Sequence, residues 1–326
     1  MNTTTAPTIA PSSKRQSTIA KLGIGTIAGA ILLGAVQTES AIALSYASTP
    51  TTFATGFNRS YGIGVASNGD VLVANYGNST VSRFSSAGAF LGNFGSGFSG
   101  PLDVAFASNG DVLVANYNGN TVSRFNSIGN PLGNFGSGFT NPAGIAFASN
   151  GDVFISNNSG TVSRFNSAGA SLGTFASGFT SPRDIAVASN GDVFVSNASG
   201  GTVRRFNSAG TSLGTFGSGF STPWGIVIDS SGDVLVSNFS GGTVTRFSSS
   251  GTLLQTLTGL NQPASMAIAS NGDLLVANHG NNSVSRFAVA TPVPFGFTPI
   301  WGFLSLGIRP LIKRFKPRKL ATVAAK

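Results

Sequence analysis

The chain has 326 residues, 9% of them charged, and its 19 lysines and arginines outnumber its 10 aspartates and glutamates to give a net charge of +9. That excess lies at the two ends, because residues 44–290 hold nine arginines, nine aspartates and no lysine. A nucleic-acid-binding face needs clustered positive charge, so this composition excludes that class of function. The chain has no cysteine, which excludes a fold that depends on disulfides.

The first 43 residues have the pattern of a secretory signal peptide. Three basic residues precede an apolar run from Leu22 to Val36, and Ala41–Ala43 supplies the small residues that a signal peptidase accepts. We predict cleavage after Ala43. The alternative is an uncleaved anchor, but 15 residues with four glycines are short for a membrane span.

Six copies of a unit of about forty residues follow. Each copy carries Gly-Asp and, about a dozen residues later, Arg-Phe. The aspartates are Asp70, Asp111, Asp152, Asp192, Asp233 and Asp273, and the arginines are Arg83, Arg124, Arg164, Arg205, Arg246 and Arg286. A fixed period in this range indicates an array of units that bury their apolar faces against each other.

One copy predicts four short strands. They are Gly62–Ala66, Asp70–Asn75, Thr80–Ser85 and Ala89–Phe94, and Asn68-Gly69 between the first two is typical of a two-residue hairpin. Four antiparallel strands make a twisted sheet with two faces to cover. Six such sheets cover one another when they are arranged radially, which predicts an all-β fold, a six-bladed β-propeller of four-stranded blades.

The ends of the array indicate how the ring closes. The sixth copy stops after its third strand, Ser283–Ala288, while Thr52–Phe57 before the first copy resembles Thr174–Phe179 at the end of another copy. We expect this N-terminal strand to complete the last blade, which removes the exposed edges of an open array. An open β-solenoid with two coils per repeat is the alternative that the period alone allows.

The repeats resemble the NHL family of six-bladed propellers, a wider group with gluconolactonase-like and streptogramin-lyase-like members. The resemblance rests on Pro182–Val187, Asn190–Asn197 and Thr202–Phe206 and covers residues 50–289. One departure is that the family often has Asp after the second strand. This chain has Asn75, Asn116, Asn157, Asn197, Asn238 and Asn278 there.

The repeated polar residues have a structural explanation. If Asn75 pairs with Thr80, then Leu72 faces Arg83 and Asp70 lies one diagonal step away on the same side. Each blade is then expected to carry one cross-strand Asp-Arg pair, worth about 0.2–1 kcal/mol. The asparagine amide at the strand end is expected to satisfy backbone groups of the loops.

The C-terminal segment, residues 291–326, resembles a PEP-CTERM sorting signal. Pro292–Pro299 leads into the apolar stretch Ile300–Ile308 and then a basic end, as in the Pro-Phe-Glu variant of cyanobacteria. Gly296 stands in place of the Glu of that variant, and Arg309–Pro310 cuts the apolar stretch short. The resemblance implies removal by an exosortase-like membrane enzyme. The alternative is a basic tail that lies on an acidic membrane surface.

The candidate binding residues are those at which the copies differ. In a propeller, the loops that join the fourth strand to the first, and the second to the third, share one face, here called the upper face. Ligand-binding candidates on it are Tyr61, Tyr76, Tyr117, Arg183, Trp224, Phe239 and His279. Aromatic rings beside neutral Ser, Asn and Gly suit a carbohydrate or peptide. The alternative is that these loops are merely unconstrained.

Catalysis is the second candidate function. The resemblance implies a divalent cation in the channel, held by carboxylates and an Asn in gluconolactonase-like proteins, or a His with an acidic partner in lyase-like proteins. Asp103 and Asp184 are the candidate ligands for Ca²⁺ or Mg²⁺, and His279 is a weak candidate general base. The enzyme would then be a metal-dependent lactonase or lyase.

The favoured function is a non-catalytic binding or scaffold module for extracellular polysaccharide or a surface protein. The terminal segments predict a bacterial protein of the cell surface, periplasm or extracellular matrix, with cyanobacteria as a candidate source. Its processing partners would be signal peptidase and the exosortase-like enzyme, and it would meet the membrane only through its unprocessed termini.

Overall fold

Twenty-four strands form six four-stranded antiparallel sheets in residues 44–290, the part of the chain that the structure, a computed structural model, describes. The strands are β1 (Thr51–Thr55); β2 (Ser60–Val65), β3 (Val71–Asn75), β4 (Thr80–Phe84), β5 (Phe90–Asn93); β6 (Pro101–Phe106), β7 (Val112–Asn116), β8 (Thr121–Phe125), β9 (Pro131–Asn134); β10 (Pro142–Phe147), β11 (Val153–Asn157), β12 (Thr161–Phe165), β13 (Ser171–Ser177); β14 (Pro182–Val187), β15 (Val193–Asn197), β16 (Thr202–Phe206), β17 (Ser212–Phe216); β18 (Pro223–Ile228), β19 (Val234–Asn238), β20 (Thr243–Phe247), β21 (Leu253–Leu257); β22 (Pro263–Ile268), β23 (Leu274–Asn278) and β24 (Ser283–Phe287). A 3-10 turn covers His279–Asn281.

The ring closes through its N-terminal strand, as predicted. Blades 1 to 5 are β2–β5, β6–β9, β10–β13, β14–β17 and β18–β21, and blade 6 has the order β1-β24-β23-β22. Thr51 pairs with Arg286 and Thr55 with Ser283. The first strands of the six blades lie side by side around the axis, with β2 in contact with both β6 and β22. This closed arrangement rules out the open solenoid.

The prediction of a two-residue hairpin at Asn68-Gly69 was wrong. The amide of Gly69 donates to the carbonyl of Ala66 at 2.9 Å, and the amide of Ala66 donates to Asp70 at 2.8 Å. Of Asn68 and Gly69, only Gly69 has a positive φ, +88°, whereas the predicted two-residue turn needs a positive φ at both positions. The loop is therefore a three-residue turn that ends in a glycine bulge, and Asn68 uses its side chain to accept the amide of Asp70 at 3.0 Å.

The cross-strand ion pair is confirmed in every blade. Asn75 pairs with Thr80 and Leu72 with Arg83, and Arg83 Nη2 lies 2.5 Å from Asp70 Oδ2. The equivalent pairs are Arg124–Asp111, Arg164–Asp152, Arg205–Asp192, Arg246–Asp233 and Arg286–Asp273. These residues stabilise the blades, because each arginine neutralises the charge of the aspartate beside it.

The asparagines at the ends of the second strands tie the upper loops to the blades. Asn75 Oδ1 accepts the amide of Asn58, 17 positions earlier, and its Nδ2 donates to the hydroxyls of Thr80 and Ser82 at 3.3 and 2.9 Å. The other five asparagines accept an amide at the same separation of 17. An amide can donate and accept at once, so the asparagine has the structural role expected of it.

The apolar core lies between neighbouring blades. Leu72 and Phe94 of blade 1, for example, pack with Val104, Val112 and Phe125 of blade 2. Each sheet therefore depends on the next one for burial, which explains the fixed period of the sequence. Residues 44–290 contain no helix that is long and apolar enough to cross a membrane. The predicted signal peptide and sorting segment lie outside the described residues.

Candidate functional site

The seven ligand-binding candidates of the sequence form one continuous cluster on the upper face. They come from the starts of first strands and from loops that follow second strands, in blades 1, 2, 4, 5 and 6. We call this cluster the aromatic cap; it comprises Tyr61, Tyr76, Tyr117, Arg183, Trp224, Phe239 and His279, all of them half-buried. The repeat therefore brings residues up to 218 positions apart to one place.

Tyr61 is the centre of the aromatic cap. Its ring stacks on His279 with centroids 4.4 Å apart and planes 28° apart, and on Trp224 at 5.3 Å and 18°. Tyr76 meets it edge-on at 5.7 Å. Stacked and edge-to-face pairs at such distances each add about 0.5–1.5 kcal/mol beyond burial. The contacts between the rings therefore hold them in fixed positions.

Four further contacts extend the aromatic cap around the channel mouth. Phe239 stacks on Trp224 at 4.7 Å, and the guanidinium carbon of Arg183 lies 4.3 Å from the centroid of the Trp224 ring and 5.8 Å from that of Tyr117. Tyr117 in turn lies 6.3 Å from Tyr76. The cap is thus a connected arc of rings with one cation set into it.

The charges of the aromatic cap are positive and unpaired. Arg183 Nε is buried and has no hydrogen-bond partner among the described residues, and Arg183 forms no ion pair with them. Burial raises the pKa of Tyr61, an effect that Arg183 opposes. Burial, and after it the charge of Arg59, lowers the pKa of His279. His279 is therefore largely neutral at pH 7, and the free positive charge is that of Arg183 and Arg59.

Arg59 is a member of this site that sequence reasoning missed. Its amide donates to Asn282 at 2.7 Å, which places it in a loop of the upper face, and like Arg183 it has no acidic partner among the described residues. The signal was present in the copies. The equivalent positions hold Gly100, Asn141, Ser181, Thr222 and Gln262. Arg59 is the only charge at that position of the repeat.

Asp103 and Asp184 lie in the channel beneath the aromatic cap, in the first strands of blades 2 and 4. Their Oδ2 atoms accept the amides of Ile145 at 2.8 Å and Ile226 at 3.0 Å. Burial raises the pKa of Asp103 to about 7. Burial, and then the charge of Asp103, raises the pKa of Asp184 well above its usual value. Each carboxyl thus links its own blade to the next one by a hydrogen bond, and its raised pKa favours the protonated form.

Glycines let the first strands approach closely at this level. A Cβ on Gly62 would lie 2.5 Å from the Cα of Asp103, and one on Gly144 would lie 2.5 Å from the carbonyl oxygen of Arg183. The channel is consequently narrow here. About 10 Å³ is free between the cap and the carboxyls, against about 350 Å³ in the channel below them. The upper mouth is closed to anything larger than a water molecule.

The donor set does not fit Ca²⁺ or Mg²⁺. These ions take six or more oxygen ligands, whereas this level of the channel offers two carboxyls, one serine (Ser265) and three glycines. Both carboxyls already accept backbone amides, and no group of three or more acidic, His or Cys side chains suited to a metal occurs in residues 44–290. Within residues 44–290, the side chain of His279 forms no hydrogen bond with a carboxylate.

Comparisons with known proteins agree with the fold. A model of the NHL repeat matches residues 98–125 and 260–287, which lie in blades 2 and 6. No curated protein sequence is matched. Two of the six repeats therefore match the NHL repeat, and the six blades form one propeller.

Among solved structures, a streptogramin B lyase is similar at 12% identity with a TM-score of 0.58, over 76% of this chain and 98% of that one. A gluconolactonase from Xanthomonas campestris is similar at 15% identity with a TM-score of 0.65, over 73% of this chain and 89% of that one. Virginiamycin B lyase from Staphylococcus aureus with quinupristin is similar at 17% identity with a TM-score of 0.57, over 78% of this chain and 89% of that one. At these identities the likeness concerns the fold alone.

Proposed function

We propose that this protein is an exported, non-catalytic binding module whose aromatic cap holds an extracellular polysaccharide at the cell surface or in the matrix. The observation that carries the proposal is the convergence of seven non-repeated side chains from five blades into one connected cap. The residues that stabilise the blades are nearly the same in all six copies, whereas the cap is built from the positions at which the copies differ.

The chemistry of the aromatic cap favours a sugar polymer. Half-buried rings fixed by mutual stacking supply flat apolar area at low entropic cost. Amide side chains lie around them, such as that of Asn118, whose Oδ1 accepts the Tyr76 hydroxyl at 3.1 Å. Amides and hydroxyls of this kind suit the dense hydroxyls of a saccharide. The closed channel mouth suits a long chain that lies across the face rather than a small molecule that enters it.

The charge pattern favours an acidic polysaccharide. Seven of the nine aspartates in residues 44–290 are in ion pairs with arginines, and the remaining two, Asp103 and Asp184, are buried. Arg59 is exposed and Arg183 is half-buried, and neither has a carboxylate opposite it among the described residues. A guanidinium pairs with a carboxylate in a bidentate manner, so uronic-acid residues are the favoured sugar units.

The test is binding of the purified full chain to the exopolymer of its host, with alginate as the acidic probe and dextran as the neutral one. Replacing Tyr76, Tyr117 and Trp224 together by Ala should abolish binding, because three rings of the arc are removed. Binding to alginate should exceed binding to dextran and should weaken with salt.

The matched control replaces three exposed apolar residues of the circumference, Leu91, Leu132 and Leu172, by Ala. This variant should bind as the unaltered protein does. Unchanged exopolymer binding in the aromatic triple variant would refute the proposal. Retention of a surface protein rather than a glycan from the host envelope would replace the polysaccharide by a protein ligand.

The second candidate is a metal-dependent lactonase- or lyase-like enzyme. What favours it is the presence of a gluconolactonase and of lyases among the structural neighbours, and what opposes it is the small number of oxygen ligands at Asp103 and Asp184. Calorimetry with Ca²⁺ and with Mg²⁺ separates the two. Saturable heat that disappears in Asp103→Asn/Asp184→Asn would support the enzyme, and the absence of heat is what the binding module predicts.

A further inference from the structure

The lower face, which carries the turns between first and second strands and between third and fourth strands, has a groove between each pair of adjacent blades. Two of the grooves are filled by phenylalanine. Arg164 lies over Phe154, 5.7 Å from its ring centroid, and its Nη1 donates to the carbonyl of Ser208 in the next blade at 3.3 Å. Arg205 repeats this with Phe194 and the carbonyl of Ser249.

A third groove, between blades 5 and 6, is filled by the chain itself. The segment Leu44–Ala47, here called the strap, lies in it in an extended form. Leu44 and Tyr46 pack on Leu235 and Leu257, and Tyr46 is 3% exposed. Nη1 of Arg246 donates to the carbonyl of Leu44.

Backbone hydrogen bonds hold the strap as they would hold a bound peptide. Gln255 Nε2 donates to the carbonyl of Tyr46 at 2.7 Å, and Gln255 Oε1 accepts the amide of Tyr46 at 3.2 Å. The amide of Ala47 donates to Ala288 at 2.9 Å, and the amide of Ala290 donates to Ser45 at 2.9 Å. The groove thus recognises an extended backbone and two apolar side chains two positions apart.

The remaining three grooves are open. The groove between blades 1 and 2 holds about 680 Å³, that between blades 2 and 3 about 520 Å³, and that between blades 6 and 1 about 290 Å³. Leucines stand there in place of Phe154 and Phe194; they are Leu72, Leu113 and Leu275. In the same three blades, Nη1 of the repeated arginine donates to no acceptor within residues 44–290. The open volume and the free donor therefore occur together.

We propose that the groove between blades 1 and 2 binds an extended peptide segment of a partner protein, with a leucine and an aromatic residue two positions apart. Leu72, Phe94 and Phe106 stand at the positions of Leu235, Leu257 and Ile268 in the strap groove. Arg83 offers Nη1 to a backbone carbonyl as Arg246 does. The strap shows which chemistry this kind of groove accepts.

The groove between blades 1 and 2 differs from the strap groove in a way that leaves it free for a partner. Gly92 replaces Gln255 and Ala66 replaces Asp229, so this groove lacks the side chain that binds the strap backbone and the carboxylate that orients Arg246. The walls are more apolar and include the ring of Phe106. Binding there depends on the apolar contacts and on Arg83.

The test uses the full chain and a fluorescein-labelled peptide with the sequence of residues 43–48, Ala-Leu-Ser-Tyr-Ala-Ser. We expect saturable polarisation below about 1 mM, the weak end of specific binding. Leu72→Phe copies the residue that fills the closed grooves and should weaken binding at least about tenfold, a change of about 1.4 kcal/mol. Leu113→Phe, which alters the neighbouring groove, should leave the affinity within about twofold.

A second variant keeps the test decisive if Leu72→Phe fails to fold. Arg83→Lys retains the charge opposite Asp70 but has no second nitrogen for a carbonyl, so it should also weaken binding. As a positive control, Leu44→Ala/Tyr46→Ala frees the strap groove and should gain a second binding event. Absence of saturable binding to the unaltered protein, or binding by Leu72→Phe and Arg83→Lys that is as tight as that of the unaltered protein, would overturn the proposal.

Discussion

Arg183 lies over Trp224, with its guanidinium carbon 4.3 Å from the ring centroid. The contact fixes a positive charge within the aromatic cap while one nitrogen, Nε, stays buried and without a partner in the described residues. A cation over an indole is worth about 0.5–2 kcal/mol, which is enough to keep the side chain in place. The cap therefore presents a positioned donor rather than a mobile one.

Replacing Arg183 by Met tests that donor. Met keeps an unbranched apolar side chain over the indole but removes the charge and all N–H groups. Affinity for alginate should fall by about tenfold, corresponding to about 1.4 kcal/mol, while weak dextran binding should stay the same. Isothermal calorimetry at two salt concentrations measures both, and an equal loss for the two polymers would contradict the charge argument.

The carboxyl pair below the cap predicts a pH-dependent stability. The pKa of Asp103 is raised to about 7 and that of Asp184 well above its usual value of 3.8. Between about pH 4 and pH 7 the folded protein keeps protons that the unfolded chain has released, so the free energy of unfolding falls as the pH rises through this window. Tm should accordingly decrease from pH 5 to pH 8.

The control for this effect is Asp103→Asn/Asp184→Asn, which keeps an oxygen for the amides of Ile145 and Ile226. His279 acts in the opposite direction, because its lowered pKa favours the folded state as the pH rises, but it is common to both proteins. The difference between the two Tm profiles isolates the carboxyls. Parallel profiles would show that the pair does not titrate in this range.

The repeated arginines should differ in their contribution to stability. The side chain of Arg246 is 3% exposed and contacts Asp229, Asp233 and the strap, whereas that of Arg83 is 30% exposed. Arg246→Leu leaves two carboxylates without their cation and should cost about 3–5 kcal/mol. Arg83→Leu should cost about 1 kcal/mol or less. Urea unfolding measures the two, and equal losses would contradict the strap contact.

The asparagine ring should be structural. Asn116 is 2% exposed, accepts the amide of Ser99 at 3.2 Å and donates to Thr121 and Ser123. Asn116→Leu strands these groups and should cost about 1–3 kcal/mol. Asn130→Leu, at an exposed position of the same blade, should change the free energy of unfolding by no more than about 0.5 kcal/mol. Similar values for the two variants would disprove the role.

The fold was predictable because the sequence contains six copies of the same unit. Period, strand positions, the Asp-Arg register and the closing strand all followed from aligning the copies with one another. The turn type at Asn68-Gly69 did not, because the dipeptide is compatible both with a two-residue loop and with a glycine bulge, and only the closing hydrogen bonds distinguish them.

Sequence comparison predicted the seven residues of the aromatic cap, but neither Arg59 nor the geometry of the cluster. Comparing copies identified the aromatic cap, yet it gave no sign that Trp224 and Arg183 close the channel. It also passed over the strap, although Asp229 stands where the other copies have alanine and Gln255 where four others have glycine. Those differences were visible, but their meaning depends on a segment outside the repeat.

The most direct test of the central claim is hydrogen–deuterium exchange of the full chain with and without the host exopolymer. Binding through the aromatic cap predicts slower exchange in the upper loops that follow Tyr76, Tyr117, Phe239 and His279, and unchanged exchange in the turns of the lower face. Protection confined to the lower face, or no protection at saturating polymer, would contradict the account.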